Sequence, residues 1–281
     1  MKKLKMLDNN FPLNSSLGAV FSEKDLRDYR IASVEKIFPD TFKLNICEVK
    51  NQGSVCSCVA HALAETIEYH NALAGVNDAM STGYIYGNRR ESVNKGKGMI
   101  VRDAIKMACK YGDIARIEFP VNVEVPKAID LFEEIADKYF EEGSKSRFEK
   151  YYRVTTEEEI KTALMNDGPV VFAIAWYSDF KVNKDGILES TYSLSNKGGG
   201  HCMIIYGWDE NGWLIRNSWG LLWGKSGNAI LPYNAPIREA WGIADDKSNT
   251  PIKKPYNTRI GKFFATIFNA VLRFVFKLFN V

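Results

Sequence analysis

The chain changes its hydrophobic pattern at Gly168-Pro169, and this change restricts the folds open to it more than any other feature. Before this point, apolar residues recur mainly at the three- and four-residue spacing of amphipathic helices. After it, short runs rich in β-branched and aromatic residues alternate with turns that contain glycine. This order predicts an α+β fold with a helical first half and an antiparallel sheet in the second half.

Local signals give the expected bounds of the elements. Helices are predicted from Cys58 towards Gly75, from Val101 to Tyr111, over Ala128–Tyr139 and from Thr155 or Thr156 to Gly168, the last with Glu158 and Glu159 closing capping boxes. Strands are predicted at Val170–Trp176, Cys202–Trp208, Trp213–Asn217 and Asn228–Leu231. Residues 1 to about 40 are expected to be extended or looped, with a short helix at Glu23–Tyr29.

Composition and charge exclude some classes of protein. With 281 residues and 46% hydrophobic composition, the chain can bury a substantial core in one domain or in two lobes. The net charge of +3, without a long run of basic residues, argues against nucleic-acid binding. Five cysteines are few for a disulfide framework, and the polar start of the chain lacks the apolar core of a signal peptide. We therefore expect a cytoplasmic protein.

Four polar residues together offer the groups of a thiol-dependent acyl-transfer enzyme. Cys58, at the start of a predicted helix, is a candidate nucleophile because a helix N-terminus favours the thiolate. His201 and Asn217 each lie eight residues from Asp209, so a hairpin folded there would place them nearly opposite each other, where Asn217 can hold the imidazole in one tautomer. Gln52 and the backbone N–H of Cys58 can donate to an oxyanion, an effect of roughly 3 kcal/mol per donor.

Three blocks of the chain resemble the signature blocks of the papain-like (C1) cysteine peptidases. They are Gln52-Gly53-Ser54-Val55-Cys56-Ser57-Cys58, Gly200-His201 and Asn217-Ser218-Trp219-Gly220-Leu221-Leu222-Trp223-Gly224, in this order. The resemblance implies a fold of two lobes, one helical and one a barrel-like sheet, with Cys58 and His201 facing each other across a cleft. It implies Cys58 as nucleophile, His201 as general acid and base, Asn217 as orienting residue and Gln52 as oxyanion donor. We therefore expect an endopeptidase that cleaves peptides or proteins through an acyl-thioester on Cys58, with no metal or cofactor.

The resemblance also implies substrate-binding residues. Gly98 matches the glycine that hydrogen-bonds the substrate backbone, and Met99 and Ile100 match wall residues of the pocket for the second residue before the cut. Gly200 beside the histidine, and Trp219, which would shield the histidine–asparagine hydrogen bond from water, complete the set. Three positions depart from the family pattern: Val55 replaces a bridged cysteine, Cys56 a glycine and Val59 a tryptophan.

The sequence also allows other interpretations. Cys58 could be a structural thiol, or its base could be His61, three residues further along the same helix. A zinc site could use Cys56, Cys58, His61 and either Cys47 or His70. Cys56 could instead act as a redox partner of Cys58. The same constellation would also serve a thiol acyltransferase or ligase, and a membrane-interacting module would place the function in the C-terminal segment.

The C-terminal segment differs from the rest in composition. Residues 245–259 have the polar, proline-containing composition of a linker, whereas residues 260–281 are mostly apolar, with a narrow polar and basic stripe formed by Lys262, Thr266, Asn269, Arg273, Lys277 and Asn280. We expect an amphipathic helix that binds a membrane surface or a protein partner, with packing on the enzyme or spanning the bilayer as alternatives. The expected domains are an N-terminal extension (1–33), a peptidase domain (34–244, helical lobe about 50–150 and β lobe about 150–244), a linker (245–259) and this helix (260–281).

Overall fold

The computed structural model describes residues 17–26, 28–29, 37–91, 97–116 and 139–245. The helices in these ranges are α1 (Cys58–Leu73), α2 (Thr82–Gly87), α3 (Val101–Tyr111), α4 (Phe140–Gly143) and α5 (Glu157–Asn166). The strands are β1 (Ala19–Val20), β2 (Phe42–Lys43), β3 (Met99–Ile100), β4 (Lys150–Val154), β5 (Val170–Tyr177), β6 (Lys181–Val182), β7 (Leu188–Glu189), β8 (Lys197–Asp209), β9 (Gly212–Arg216), β10 (Asn228–Leu231) and β11 (Ile237–Ala244). Helices dominate the first half and strands the second, so the predicted α+β class is confirmed.

One curled sheet organises the second half of the chain. Its main strands follow the order β10-β9-β8-β5-β11-β4, and each neighbouring pair is antiparallel. β1 and β2 also pair with β8, and β1 pairs in parallel with β3. β8 is therefore bonded to strands from both halves of the described chain, and it carries His201.

β5 connects the two hydrophobic cores, because all of its residues are buried. Val171 and Ala173 belong to the core that contains α1, whereas Phe172 and Ile174 belong to the core of the β lobe. Successive side chains of a strand point to opposite faces of a sheet, so one strand can serve both cores. Full burial of such a side chain contributes about 1.5–3 kcal/mol, which ties the helical lobe firmly to the sheet.

Three predicted helices have the expected starts and ends within a few residues. α1 begins at Cys58, and α3 ends at Tyr111 before Gly112. In α5, the Thr156 side chain accepts from the Glu159 N–H and the Glu159 side chain accepts from the Thr156 N–H, which is a capping box. The second predicted box, formed by Thr155 and Glu158, is wrong, because Thr155 donates its N–H and its hydroxyl to Glu159.

The short helix predicted at Glu23–Tyr29 is wrong for the described residues of that range. The segment is irregular because its polar groups bind elements that are distant in sequence. Just before the segment the Ser22 N–H donates to Glu239 at 2.8 Å, and within it Asp28 forms an ion pair with Arg102 of α3 at 2.9 Å. Such tertiary hydrogen bonds compete with those that a short helix would form with itself.

The hairpin of β8 and β9 has a different register from the predicted one. The register shifts in the middle of β8, and Ile204 pairs with Arg216. Continuing this register by one residue puts Asn217 opposite Met203, two residues from His201. The two residues lie on adjacent strands as predicted, but they are diagonal neighbours rather than nearly opposite, and diagonal neighbours lie within reach of long side chains.

Several predictions fall outside the described residues. They are the helix at 128–139 except Tyr139, and the linker and helix beyond Asp245. The chain divides into residues 1–249 and residues 250–281, and the described residues belong to the first of these units. Among the helices that the structure describes, none has the length and hydropathy needed to cross a membrane.

Candidate active site

Cys58 lies where the helical lobe meets the sheet. It is the first residue of α1 and has no surface exposed to solvent. The backbone of Cys202, Gly18 and Val59 lies close enough to the thiol to lower its pKa. Because Cys202 follows His201 on β8, the thiol lies beside the strand that carries the candidate base.

His201 and Asn217 form the predicted hydrogen bond. The distance between His201 Nε2 and Asn217 Oδ1 is 2.8 Å, and both side chains are fully buried. The same oxygen accepts the Ser218 N–H at 2.8 Å. A backbone N–H can only donate, so the atom that faces His201 is the oxygen and the imidazole carries its proton on Nε2. His201 Nδ1 is then an acceptor, and it has no hydrogen-bond partner among the described residues.

Gln52 is held by two contacts of its carboxamide. Its Nε2 donates to the Val55 carbonyl at 2.8 Å, and its Oε1 accepts from the Ser218 hydroxyl at 2.6 Å. The Gln52 N–H also donates to the Ser218 carbonyl at 2.8 Å. These bonds join the loop before α1 to the segment after β9, so the glutamine block and the asparagine block lie side by side.

Two indole rings flank the imidazole of His201. The Trp219 ring lies 4.6 Å from the imidazole, with 30° between the ring planes. The Trp176 ring lies 5.1 Å away at 83° and also contacts Trp219. Trp219 was the predicted shield of the histidine–asparagine bond, and the described ring lies in a position suited to that role. Trp176 comes from β5, a strand that the sequence analysis treated only as core.

Burial controls the protonation of both candidate groups. It raises the pKa of the Cys58 thiol to about 11, although the nearby backbone of Cys202, Gly18 and Val59 lowers it. It lowers the pKa of His201 to about 4, against the effect of the Asn217 hydrogen bond. At neutral pH this conformation therefore holds a thiol and a neutral imidazole rather than an ion pair.

The predicted substrate-binding residues other than Trp219 lie in or beside the strands β3 and β8. Gly98 precedes β3, which contains buried Met99 and half-buried Ile100. Gly200 lies on β8, next to His201. β1 pairs with both β3 and β8, a contact that no pattern in the sequence indicates.

The alternative site residues lie elsewhere. His61 Nδ1 donates to the Ser57 carbonyl at 2.9 Å within its own helix, and burial lowers its pKa to about 4. No group of three or more cysteine, histidine or acidic residues among those described could hold a metal ion. Cys56 is half-buried and forms no disulfide, and its redox role stays a hypothesis.

Ser218 and Trp176 are functional candidates that the sequence alone does not reveal. Ser218 lies inside the asparagine block, but nothing in the block shows that its hydroxyl turns towards Gln52, a contact between residues 166 positions apart. Trp176 lies in an apolar run, where an aromatic residue is most simply interpreted as part of the hydrophobic core. Only the pairing of β5 with β8 brings it to His201.

Comparison with known proteins gives consistent matches. The family described as Papain family cysteine protease matches residues 39–248. An uncharacterized peptidase C1-like protein of Acanthamoeba polyphaga mimivirus is 29% identical over 200 residues, which are 65% of this chain and 63% of that protein. A cathepsin B-like protein of Giardia intestinalis is 39% identical over 71 residues, which are 24% of each chain. The chain thus spans less than two thirds of the length of these relatives.

Solved structures share the fold. Xylellain, a cysteine protease from Xylella fastidiosa, superimposes with a TM-score of 0.72 at 25% identity, covering 83% of this chain and 97% of that one. A procathepsin B from Trypanosoma congolense gives a TM-score of 0.63 at 16% identity, covering 83% of this chain and 86% of that one. At 16% identity, the similarity to the procathepsin B concerns the fold alone.

Proposed function

Because the chain belongs to the papain family of cysteine proteases, we propose that it is an endopeptidase that hydrolyses peptide bonds through an acyl-thioester on Cys58. One observation carries this proposal: the buried 2.8 Å hydrogen bond between His201 Nε2 and Asn217 Oδ1, on the strand that contacts the Cys58 thiol. This bond leaves Nδ1 as the nitrogen that can exchange a proton with sulfur. The substrates are peptides or proteins.

Acylation begins when the Cys58 thiol gives its proton to His201 Nδ1 and the sulfur attacks the carbonyl carbon of the substrate. The former carbonyl oxygen becomes negatively charged. The Cys58 N–H and the Gln52 amide donate to it, and one such donor typically changes kcat by about 10²–10³. His201 then gives its proton to the amine nitrogen of the leaving fragment, and the carbon–nitrogen bond breaks.

Deacylation repeats these steps with water as the nucleophile. His201 Nδ1 removes a proton from water, and the resulting oxygen nucleophile attacks the thioester carbonyl. The same two donors stabilise the second tetrahedral intermediate. When this intermediate collapses, the carbon–sulfur bond breaks, the carboxylic acid leaves, and the sulfur recovers its proton from His201.

Asn217 and Trp219 support the proton transfers without exchanging protons themselves. The Asn217 carboxamide binds Nε2 of His201 throughout the cycle and so leaves Nδ1 directed away from Asn217. Trp219 lies against the imidazole and excludes water from the hydrogen bond. A hydrogen bond in a site with little water is stronger than the same bond in solvent.

The proposal is tested by labelling with a peptidyl epoxide inhibitor and by hydrolysis of fluorogenic peptides. We expect peptide mapping to find the label on Cys58 and both activities to disappear in Cys58→Ala, with Cys109→Ala as the matched control. Label on another residue, or hydrolysis that persists in Cys58→Ala, would contradict the proposal. Adding a primary amine identifies the acceptor, because hydrolysis yields carboxylates and transfer yields amides.

We also propose that residues 34–244 form the peptidase domain and that residues 260–281 form a helix that binds a membrane surface or a protein partner. The family match over residues 39–248 supports the proposed peptidase domain. The amphipathic composition of residues 260–281 supports the proposed helix. Deleting residues 256–281 should leave peptide hydrolysis unchanged and reduce binding to anionic vesicles or change the oligomeric state. Unchanged vesicle binding and oligomeric state would contradict the helix's role.

A further inference from the structure

Two cysteines lie on either side of the residue that caps α1. Cys58 is the first residue of this helix, Ser57 is its N-cap, and Cys56 comes directly before the cap. Cys56 stands at a position where the family pattern has a glycine, so its thiol is an addition of this chain to the surroundings of the candidate nucleophile. Neither acylation nor deacylation, as proposed above, uses this second thiol.

The backbone around Cys56 is tightly folded. The Ser57 N–H donates to the Val55 carbonyl at 2.8 Å, which closes a turn of three residues centred on Cys56. Ser57 has φ −108° and ψ 19°, close to the bridge region between the helical and extended conformations. A chain bent in this way places the Cα atoms on either side of the bend about 5.5–6 Å apart, which is the commonest spacing in disulfides.

The two thiols belong to one electrostatic cluster. Burial raises the pKa of Cys58 most, and the charge of a Cys56 thiolate raises it further. Burial also raises the pKa of Tyr86 in α2, and the charges of Cys56 and Cys58 both add to this effect. The two sulfur atoms therefore act on each other and on the same phenol, as neighbouring groups do.

The two thiols differ in their access to solvent. Cys58 has no exposed surface, whereas Cys56 is half-buried. Burial raises the pKa of the Cys56 thiol, and the charge of exposed Lys97 lowers it. A partly exposed thiol beside a cation is the one that an oxidant in solution meets first.

Cys202 is another thiol near Cys58, but its place in the fold argues against it as a disulfide partner. It is 1% exposed in the same hydrophobic core as Cys58. It also lies in the middle of the sheet, where β8 pairs with Ala173 of β5. A movement of Cys202 would disturb this pairing, whereas Cys56 lies in a loop outside the helices and strands.

We propose that hydrogen peroxide converts Cys56 and Cys58 into a reversible disulfide that switches the enzyme off and protects its nucleophile. This inference rests on the proposed function, because it concerns the same cysteine. Peroxide first oxidises the Cys56 thiol to a sulfenic acid and releases one water. Cys58 then gives its proton to His201 Nδ1, and its sulfur attacks the sulfenic sulfur. The sulfur–oxygen bond breaks, and the departing hydroxide takes the proton from His201 to form the second water.

The short connection between the two cysteines makes the bond easy to reverse. A disulfide that closes across a single N-cap residue is strained, and strained disulfides are reduced more readily than relaxed ones. A small thiol in solution can then attack it and restore both cysteines. Without Cys56, oxidation of Cys58 continues from the sulfenic to the sulfinic acid, which thiols do not reduce.

The test exposes the native full-length chain to hydrogen peroxide, removes the peroxide with catalase, and denatures the protein in iodoacetamide without a reductant. Trypsin cleavage after Lys50 and Arg89 then releases a peptide whose two cysteines are Cys56 and Cys58. We expect this peptide to carry no alkyl group and to lack two hydrogen atoms. We also expect dithiothreitol to restore the peptide hydrolysis that peroxide removed.

Two variants complete the test. In Cys56→Ala, the same treatment should leave sulfinic acid on Cys58 and a loss of hydrolysis that dithiothreitol does not reverse. Cys109→Ala removes another half-buried thiol and should match the wild type in both measurements. The peptide mass is read on the wild type as well, so the test does not depend on the folding of a variant.

The outcomes separate the two proposals. Alkylation of both cysteines in wild type that peroxide has inactivated, or a bond from Cys58 to Cys202, would overturn the redox pair. Equal recovery of hydrolysis in the wild type and in Cys56→Ala would do the same. The disulfide together with a reversible loss of hydrolysis supports both proposals. The disulfide in a chain that hydrolyses no peptide before treatment supports the redox pair and contradicts the endopeptidase.

Discussion

At the scale of single residues, the candidate site depends on the orientation of two carboxamides. Asn217 Oδ1 accepts from both Ser218 N–H and His201 Nε2, and Gln52 Oε1 accepts from the Ser218 hydroxyl. Ser218 therefore fixes one carboxamide through its backbone and the other through its side chain. The tautomer of the base and the direction of the oxyanion donor follow from a single residue between them.

Asn217 variants test the orientation of the base. Asn217→Ala should lower kcat/KM by about 10- to 100-fold, because a hydrogen bond to a group that becomes charged in the reaction is lost. Asn217→Asp keeps an acceptor and adds a negative charge that raises the pKa of His201, so the acidic limb of the pH profile should move to higher pH. The measurement is kcat/KM against pH. Identical profiles for Asn217→Asp and the wild type would contradict this role.

Ser218→Ala tests the orientation of the oxyanion donor. The variant removes the 2.6 Å bond to Gln52 Oε1 and keeps the Nε2 bond to the Val55 carbonyl, so the carboxamide is held less firmly. We expect kcat to fall about 10-fold with little change in KM, because the donor acts mainly in the transition state. Steady-state kinetics on one peptide give both constants. Ser193→Ala, at an exposed serine, is the control, and a Ser218→Ala enzyme with wild-type kcat would refute the argument.

At the scale of elements, the sequence predicted what depends on local signals. The start of α1 and the cap of α5 could be predicted because spacing and capping residues act within a turn of helix. The register of β8 against β9 could not, because the irregularity in β8 leaves no mark in an apolar run. The pairing of β1 with β3 joins segments about 80 residues apart, so no local pattern specifies it.

The capping box of α5 gives a prediction about stability alone. Thr156→Ala removes the side chain that accepts from the Glu159 N–H at 3.1 Å. We expect the free energy of unfolding to fall by about 1 kcal/mol, with peptide hydrolysis unchanged. Urea unfolding measures the first quantity. Glu210→Gln, at an exposed turn outside the helices, should leave it unchanged, and an equal loss in both variants would show that the cap contributes nothing specific.

At the scale of the whole molecule, buried charges lie beneath the site where the lobes join. Lys50, two residues before Gln52, pairs with Glu68 of α1 at 2.5 Å. Arg216, the residue before Asn217, lowers the pKa of Glu65 through its charge. Burial outweighs this effect and raises the pKa of Glu65 to about 8. Residues next to Gln52 and Asn217 therefore interact with a buried carboxyl group, Glu65, that titrates near pH 8.

Glu65 should make the stability of the molecule depend on pH in a defined direction. Its pKa is about 8 when folded and 4.5 as the ordinary value, so folding favours the protonated form. This contribution is fully present below pH 4.5 and is lost as the pH rises through 8, by roughly 1.4 kcal/mol per unit of difference in pKa. Glu65→Gln removes the titration and keeps the shape of the side chain. We expect urea unfolding to show the variant more stable than the wild type at pH 8, with a smaller difference at pH 5. Glu210→Gln at the exposed hairpin turn is the control. If Glu65→Gln and the wild type differ by the same free energy of unfolding at both pH values, this carboxyl stays ionised in the fold.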